Sequence, residues 1–139
     1  KGMKIKVLAS IFGLSFLIGC SSNIDCSKTT FNETNKLTFF NDEPFSGTCN
    51  SYYMNGKLES VRNYKNGLDH GEWMYKYING NIEMTGLFER GKRVGKWEYF
   101  HPNGTLKQVS FYTNGLSSGI WKMYDEDGEE INEINYNKN

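Results

Sequence analysis

Gly71-Glu72-Trp73-Met74-Tyr75-Lys76-Tyr77-Ile78-Asn79-Gly80, continued by Ile82 to Phe88-Glu89-Arg90-Gly91, is one copy of a unit that the chain repeats. Gly47, Gly71, Gly95 and Gly119 stand 24 residues apart in strict register. Two residues after each comes Cys49, Trp73, Trp97 or Trp121, nine after each Gly56, Gly80, Gly104 or Gly128, and seventeen after each Tyr64, Phe88, Tyr112 or Tyr136. A fixed period of this kind marks a repeat architecture, in which each unit buries its faces only against its neighbours.

Within a unit the pattern is that of a β-hairpin. Trp73, Tyr75 and Tyr77 alternate with Glu72, Met74 and Lys76, the period-2 pattern of a strand with two unlike faces. Trp97, Tyr99 and His101 repeat the first face, as do Trp121, Met123 and Asp125. The turn dipeptides recur as Asn55-Gly56, Asn66-Gly67, Asn103-Gly104, Asn114-Gly115 and Asp127-Gly128. Asn-Gly and Asp-Gly supply the positive φ angles of type I′ turns, which predicts that geometry at each of them. Stacked hairpins would line the tryptophans into one column and Tyr64, Phe88, Tyr112 and Tyr136 into another. The expected fold is therefore all-β: an elongated single-layer antiparallel sheet over residues 36–139, with repeats starting near 47, 71, 95 and 119. Phe40 falls 24 residues before Tyr64, so Thr38-Phe39-Phe40 is expected as a strand capping the array, and Ile134 to Asn139 as its far cap.

These stretches carry a family resemblance. Gly71-Glu72-Trp73, Gly95-Lys96-Trp97, Gly119-Ile120-Trp121, Asn55-Gly56-Lys57-Leu58 and Tyr64-Lys65-Asn66-Gly67 resemble the MORN-repeat variant. The resemblance implies a twisted sheet of hairpins that binds or scaffolds and does not catalyse. Many bacterial members bear a toxin–antitoxin label, and others are lipoproteins or parts of larger assemblies. Cys49 in place of tryptophan departs from the pattern, as does the charged last unit.

The N-terminus reads as a targeting segment. Lys1, Lys4 and Lys6 precede an apolar run of 11 residues, Val7 to Leu17. At about 1.5 Å per residue such a run reaches roughly half of a 30 Å hydrocarbon core, which fits a secretory signal and not a spanning helix. Leu17-Ile18-Gly19-Cys20 resembles the lipobox of bacterial lipoproteins, in which the cysteine is acylated and becomes the first mature residue. Residues 1–19 are thus expected as a cleaved signal peptide, Cys20 as the lipidation site, and 20–35 as a flexible polar tether. Ser21 is not the aspartate that retains enterobacterial lipoproteins in the inner membrane, so the resemblance favours the outer membrane.

From Cys20 onward the chain keeps 13 of its 16 basic residues and all 16 acidic ones, a net charge of −3. That leaves no basic footprint for nucleic acid and no electrostatic attraction to anionic lipid. Membrane contact would come from the acyl chains. Export permits disulfides, and with Cys20 lipidated the economical pairing is Cys26 with Cys49; two free thiols are the alternative. Such a bridge would compensate for the aromatic that the first repeat lacks.

Nothing in the sequence builds a catalytic or metal constellation. No Gly-x-Ser-x-Gly elbow and no phosphate-binding Gly-x-x-x-x-Gly-Lys loop occurs. His70 and His101 stand alone and read as exposed residues flanking turns. Asp125, Glu126, Asp127, Glu129 and Glu130 fit a charged hairpin turn better than a 12-residue calcium loop. The expectation is a non-enzymatic protein without cofactor or metal. Trp73, Tyr75, Trp97, Tyr99 and Trp121 are the candidate binding residues, since tryptophan and tyrosine are favoured interface anchors. The other reading makes the same columns the glue between repeats, since regular recurrence is what stacking alone requires. Three roles follow: a scaffold or accessory subunit for a cell-envelope protein partner, an immunity or antitoxin-like protein that binds a toxin, and a module that stacks its aromatics on a glycan.

Overall fold

The computed structural model describes residues 23–137. Thirteen strands run in chain order: β1 (Asn23–Asp25), β2 (Thr30–Asn32), β3 (Leu37–Phe40), β4 (Glu43–Pro44), β5 (Gly47–Tyr52), β6 (Leu58–Lys65), β7 (Leu68–Asp69), β8 (Gly71–Lys76), β9 (Ile82–Glu89), β10 (Lys92–Phe100), β11 (Leu106–Thr113), β12 (Leu116–Tyr124) and β13 (Glu130–Asn135). The one helical element among the described residues is a 3-10 turn, Cys26–Lys28. Strands β5-β6-β8-β9-β10-β11-β12-β13 form a continuous antiparallel meander, so the repeats stack as hairpins in a single sheet. Sequential antiparallel pairing requires only short connections, and the glycine-bearing turns provide them.

The turns divide into two kinds, which corrects the uniform expectation. At Asn66-Gly67, Arg90-Gly91 and Asn114-Gly115 both residues have positive φ, as type I′ demands. At Asn55-Gly56, Asn79-Gly80, Asn103-Gly104 and Asp127-Gly128 only the glycine does. There Gly56 donates to the Tyr53 carbonyl and Tyr53 to the Lys57 carbonyl, and the same pair recurs at Tyr77, His101 and Asp125. This is a type I turn closed by a left-handed glycine, and a register shift follows each of them in its hairpin.

Periodic hydrogen bonds fasten one repeat to the next along both long edges. On one edge the turn glycines Gly67, Gly91 and Gly115 donate to the carbonyls of Phe45, Asp69 and Arg93 in the preceding unit. On the other, the hydroxyls of Tyr53 and Tyr77 donate to the carbonyls of Lys76 and Phe100, and His101 Nε2 lies 3.0 Å from the Tyr124 carbonyl. A carbonyl only accepts, so that nitrogen carries the proton. Asn79 and Asn103 Nδ2 add bonds to the carbonyls of Pro102 and Glu126.

Between these edges runs one aromatic spine. The two expected columns interleave: Phe45–Tyr64, Tyr64–Trp73, Trp73–Phe88, Phe88–Trp97, Trp97–Tyr112, Tyr112–Trp121 and Trp121–Tyr136 have ring centroids 4.7–6.0 Å apart. All are tilted or edge-to-face, the geometry the ring quadrupole favours. Adjacent strands lie too close for the two rows to stay separate.

The N-terminal end differs from expectation in two ways. Residues 23–35, read as part of a flexible tether, are built into the fold. Their polar side chains bond their own turns: Asp25 Oδ1 accepts from the Ser27 N–H, and Asn32 Oδ1 from Thr34 and Asn35. Thr38-Phe39-Phe40 is a strand, but β3 belongs to a separate three-stranded sheet, β2-β3-β4. The edge of the array is covered instead by β1, which pairs in parallel with β5 through Ile24↔Cys49. Cys26 and Cys49 are joined in a disulfide with a Cα–Cα distance of 4.9 Å. The bridge is buried with Phe45 and Tyr64, against Ile24, Phe40 and Trp73. The first repeat thus has sulfur and phenyl groups where later repeats have an indole. The expected far cap is the end of β13, tied back by the Tyr136 N–H to the Gly119 carbonyl. The proposed signal segment and Cys20 lie outside the described residues.

Candidate functional site

The sheet has two unlike faces. Trp73, Tyr75, Trp97, Tyr99 and Trp121 all lie on the spine face, and the structure shows how each is held. Trp97 is fully buried. A Cβ at Gly86 would fall 2.2–2.4 Å from three atoms of its indole, so the absent side chain there is what lets the ring settle on the backbone. Arg93 covers the ring, its guanidinium carbon 4.4 Å from the centroid, while its Nη1 lies 3.3 Å from the hydroxyls of Tyr99 and Tyr112. Trp73 and Trp121 Nε1 donate to the carbonyls of Asn63 and Phe111 in the preceding hairpin, whereas buried Trp97 Nε1 has no acceptor among the described residues. Packing and hydrogen bonding thus engage these side chains internally. Burial raises the pKa of Tyr64, Tyr75 and Tyr99, and raises that of the Asp69 carboxyl against the opposing pull of Arg62.

The opposite face is different. Cross-strand register places Glu72 beside Leu87, Met74 beside Thr85, Lys96 beside Phe111, and Glu98 beside Val109 there. Leu87, Phe111 and Ile120 are 41%, 37% and 38% exposed, and no second layer covers them among the described residues. Between the repeats this face forms a groove of about 470 Å³ lined by Val61, Asn63, Met74, Thr85 and Leu87, with Glu72 on one side and Lys96 on the other. Lys96 holds Glu98 at 2.9 Å, and Lys122 reaches Glu130 and Glu133 at 2.7 and 3.6 Å. The candidate residues drawn from the sequence missed this face, because aromatic side chains dominate the pattern and lie on the other one. Its signal was the alternate set Met74, Leu87, Val109, Phe111 and Ile120.

The histidines are not the exposed residues expected: both are half-buried, His101 bonded as above and His70 through its N–H to the Asn63 carbonyl. The acidic cluster serves its own turn, where Asp125 Oδ1 accepts from the N–H groups of Asp127 and Glu129. Among the described residues no group of three His, Cys, Asp or Glu side chains is placed to hold a metal.

A single-layer array of hairpins, fastened edge to edge, defines a repeat module of the kind that offers surfaces to others. Three of its repeats, at residues 46–66, 93–114 and 118–138, match the MORN repeat variant family. Repeats of this family are non-catalytic modules that engage proteins or membranes. The unit between the first two matches has the same turns, edge bonds and spine as its neighbours. No curated protein and no solved structure matches the chain.

Proposed function

We propose that this chain is an acylated lipoprotein of the cell envelope whose repeat domain is a docking platform for a protein partner. The observation that carries the reading is the uncovered apolar face around Leu87, Phe111 and Ile120. Large apolar side chains left exposed on one sheet face are a mark of an interaction site. The sequence Leu17-Ile18-Gly19-Cys20 supports anchoring through acyl chains at Cys20, and Ser21 supports the outer membrane. The Cys26–Cys49 bridge fits an oxidising compartment. The platform acts without cofactor or metal, and binding replaces turnover as its activity. Burial removes Trp97 from the surface on which a glycan would stack.

The test is a crosslinked pull-down of the full-length protein from native membranes beside a Cys20→Ser version, with labelled palmitate to follow acylation. The reading expects label on the wild type alone and a stoichiometric partner recovered only with the lipidated form. An unlabelled wild-type protein overturns the anchor. A labelled protein that crosslinks to no protein, itself included, overturns the platform.

A further inference from the structure

We infer that the groove on the uncovered face is occupied by a second copy of the same chain, docked face to face about a two-fold axis that runs along β9. This rests on the reading of that face as an interaction surface and specifies its occupant.

The charge arrangement of the groove carries the inference. Strand order places β8 and β10 on either side of β9, with β6 and β11 one step further out. Glu72 projects from β8 at the height of Leu87. Lys96 projects from β10 in the irregular stretch between the pairs Val94↔Leu87 and Glu98↔Thr85, within a lysine side chain's reach of that height. The groove therefore has an acid on the β8 side of Leu87 and a base on its β10 side. A half-turn about a line along β9, in the plane between two facing sheets, keeps each residue's height and exchanges the walls. Glu72 of each copy then meets Lys96 of the other, so the contact occurs twice. Leu87 meets its own symmetry mate on the axis, and Val61 on β6 meets Val109 on β11. Such self-complementarity is what an isologous interface requires.

The existing bonds allow it. Lys96 carries three donors, so it can keep Glu98 of its own chain while it accepts Glu72 of the other as partner. Glu72 is exposed, and its carboxylate takes part in no ion pair among the described residues. The apolar side chains between the walls would gain the second layer that a sheet normally needs to bury its face. Because each sheet is twisted, contact concentrates at the central strands around β9 and weakens outward. This places the charge pairs where they discriminate best.

The experiment is a charge swap, read in the full-length protein. Zero-length carbodiimide crosslinking in native membranes is followed by mass spectrometry of the Glu72–Lys96 isopeptide. The dimer constant in detergent comes from sedimentation. Wild type should give an intermolecular Glu72–Lys96 link. Glu72→Lys alone and Lys96→Glu alone should each weaken dimerisation by about tenfold or more, because like charges then face each other twice. The double variant Glu72→Lys with Lys96→Glu should restore it. Near-ultraviolet circular dichroism checks that each variant keeps its aromatic packing. A monomeric wild type, single reversals without effect, or a folded double variant that stays monomeric overturns the inference. A monomer that still loses its pull-down partner on Leu87→Asp overturns the second copy alone and leaves the platform standing.

Discussion

The first and fourth hairpins share one residue pattern but face opposite ends of the sheet, and they are finished by different chemistry. At the first, the position that elsewhere holds an indole is Cys49, bonded to Cys26, and the outer edge of β5 is covered by β1. At the fourth, Trp121 keeps its place in the spine but is only half-buried, and no strand covers the outer edge of β13 among the described residues. Asp125 stands where Tyr53, Tyr77 and His101 donate to the next unit, and it turns back to accept from its own turn. One end is sealed by added chain and a covalent bond. The other substitutes an acceptor for a donor and adds charge, which deters pairing at an open edge. A repeat array thus needs cooperative contacts only in its middle, and each end is solved separately.

The comparison can be broken hardest in the spine. Trp97→Ala should cost about 3–5 kcal/mol, the range for a fully buried aromatic, while Trp121→Ala at the exposed end should cost less than half as much. Urea unfolding of both variants checks the order, and equal losses would show that the spine is no tighter in its middle. Next comes the bridge. Replacing Cys26 and Cys49 by serine should remove on the order of 3 kcal/mol. Hydrogen exchange should show the loss first in β1, β5 and β6, with β10 to β13 still protected. Uniform loss of protection would mean that the two ends are not independent.

Smaller changes sharpen the picture. Gly86→Ala should destabilise by about 1–3 kcal/mol through overpacking against Trp97, with a shift in tryptophan fluorescence. An unchanged spectrum and midpoint would show that the ring can retreat without loss. His101→Phe removes one edge bond and should cost about 1 kcal/mol in a thermal melt, whereas His101→Tyr should be nearly neutral. The pH effect is the mildest. Burial holds the Tyr64, Tyr75 and Tyr99 phenols above the ordinary value of 10.0. The unfolded chain loses these protons first, so stability should fall as pH rises through 10 towards the folded values. Tyr75→Phe with Tyr99→Phe should flatten that slope, and an unaltered slope would place its origin elsewhere.

Much of this was legible in the sequence, because the period forces it. Glycines at a 24-residue spacing and alternating faces lead directly to the hairpins, whereas the bridge was one of two readings of Cys26 and Cys49 until their positions were known. The interleaving of the aromatics was not legible. It depends on how near adjacent strands bring two rows that lie 9 and 15 residues apart in the chain. The edge ladder was written in Tyr53, Tyr77 and His101, one residue type short of an obvious repeat, and only hydrogen-bond geometry reveals it. The turns at Gly56, Gly80, Gly104 and Gly128 share dipeptides with type I′ turns, so composition alone could not separate the two kinds. The uncovered face eluded the candidate residues because its apolar positions, Leu87, Phe111 and Ile120, are interspersed with charged ones, whereas the aromatics of the other face dominate the repeat.

The disulfide also decides how the domain would carry a mechanical load. Tension applied upstream of Cys26 passes through the sulfur–sulfur bond into Cys49 on β5 and bypasses Ser27 to Thr48. The small sheet β2-β3-β4 lies wholly within that bypassed loop, so a steady pull cannot draw it out as slack while the bond holds. The force arrives at the rim of the main sheet, where hairpins could be peeled away one after another. A pull entering at Cys26 would thus lengthen nothing between Cys26 and Cys49 until the first full repeat gives way.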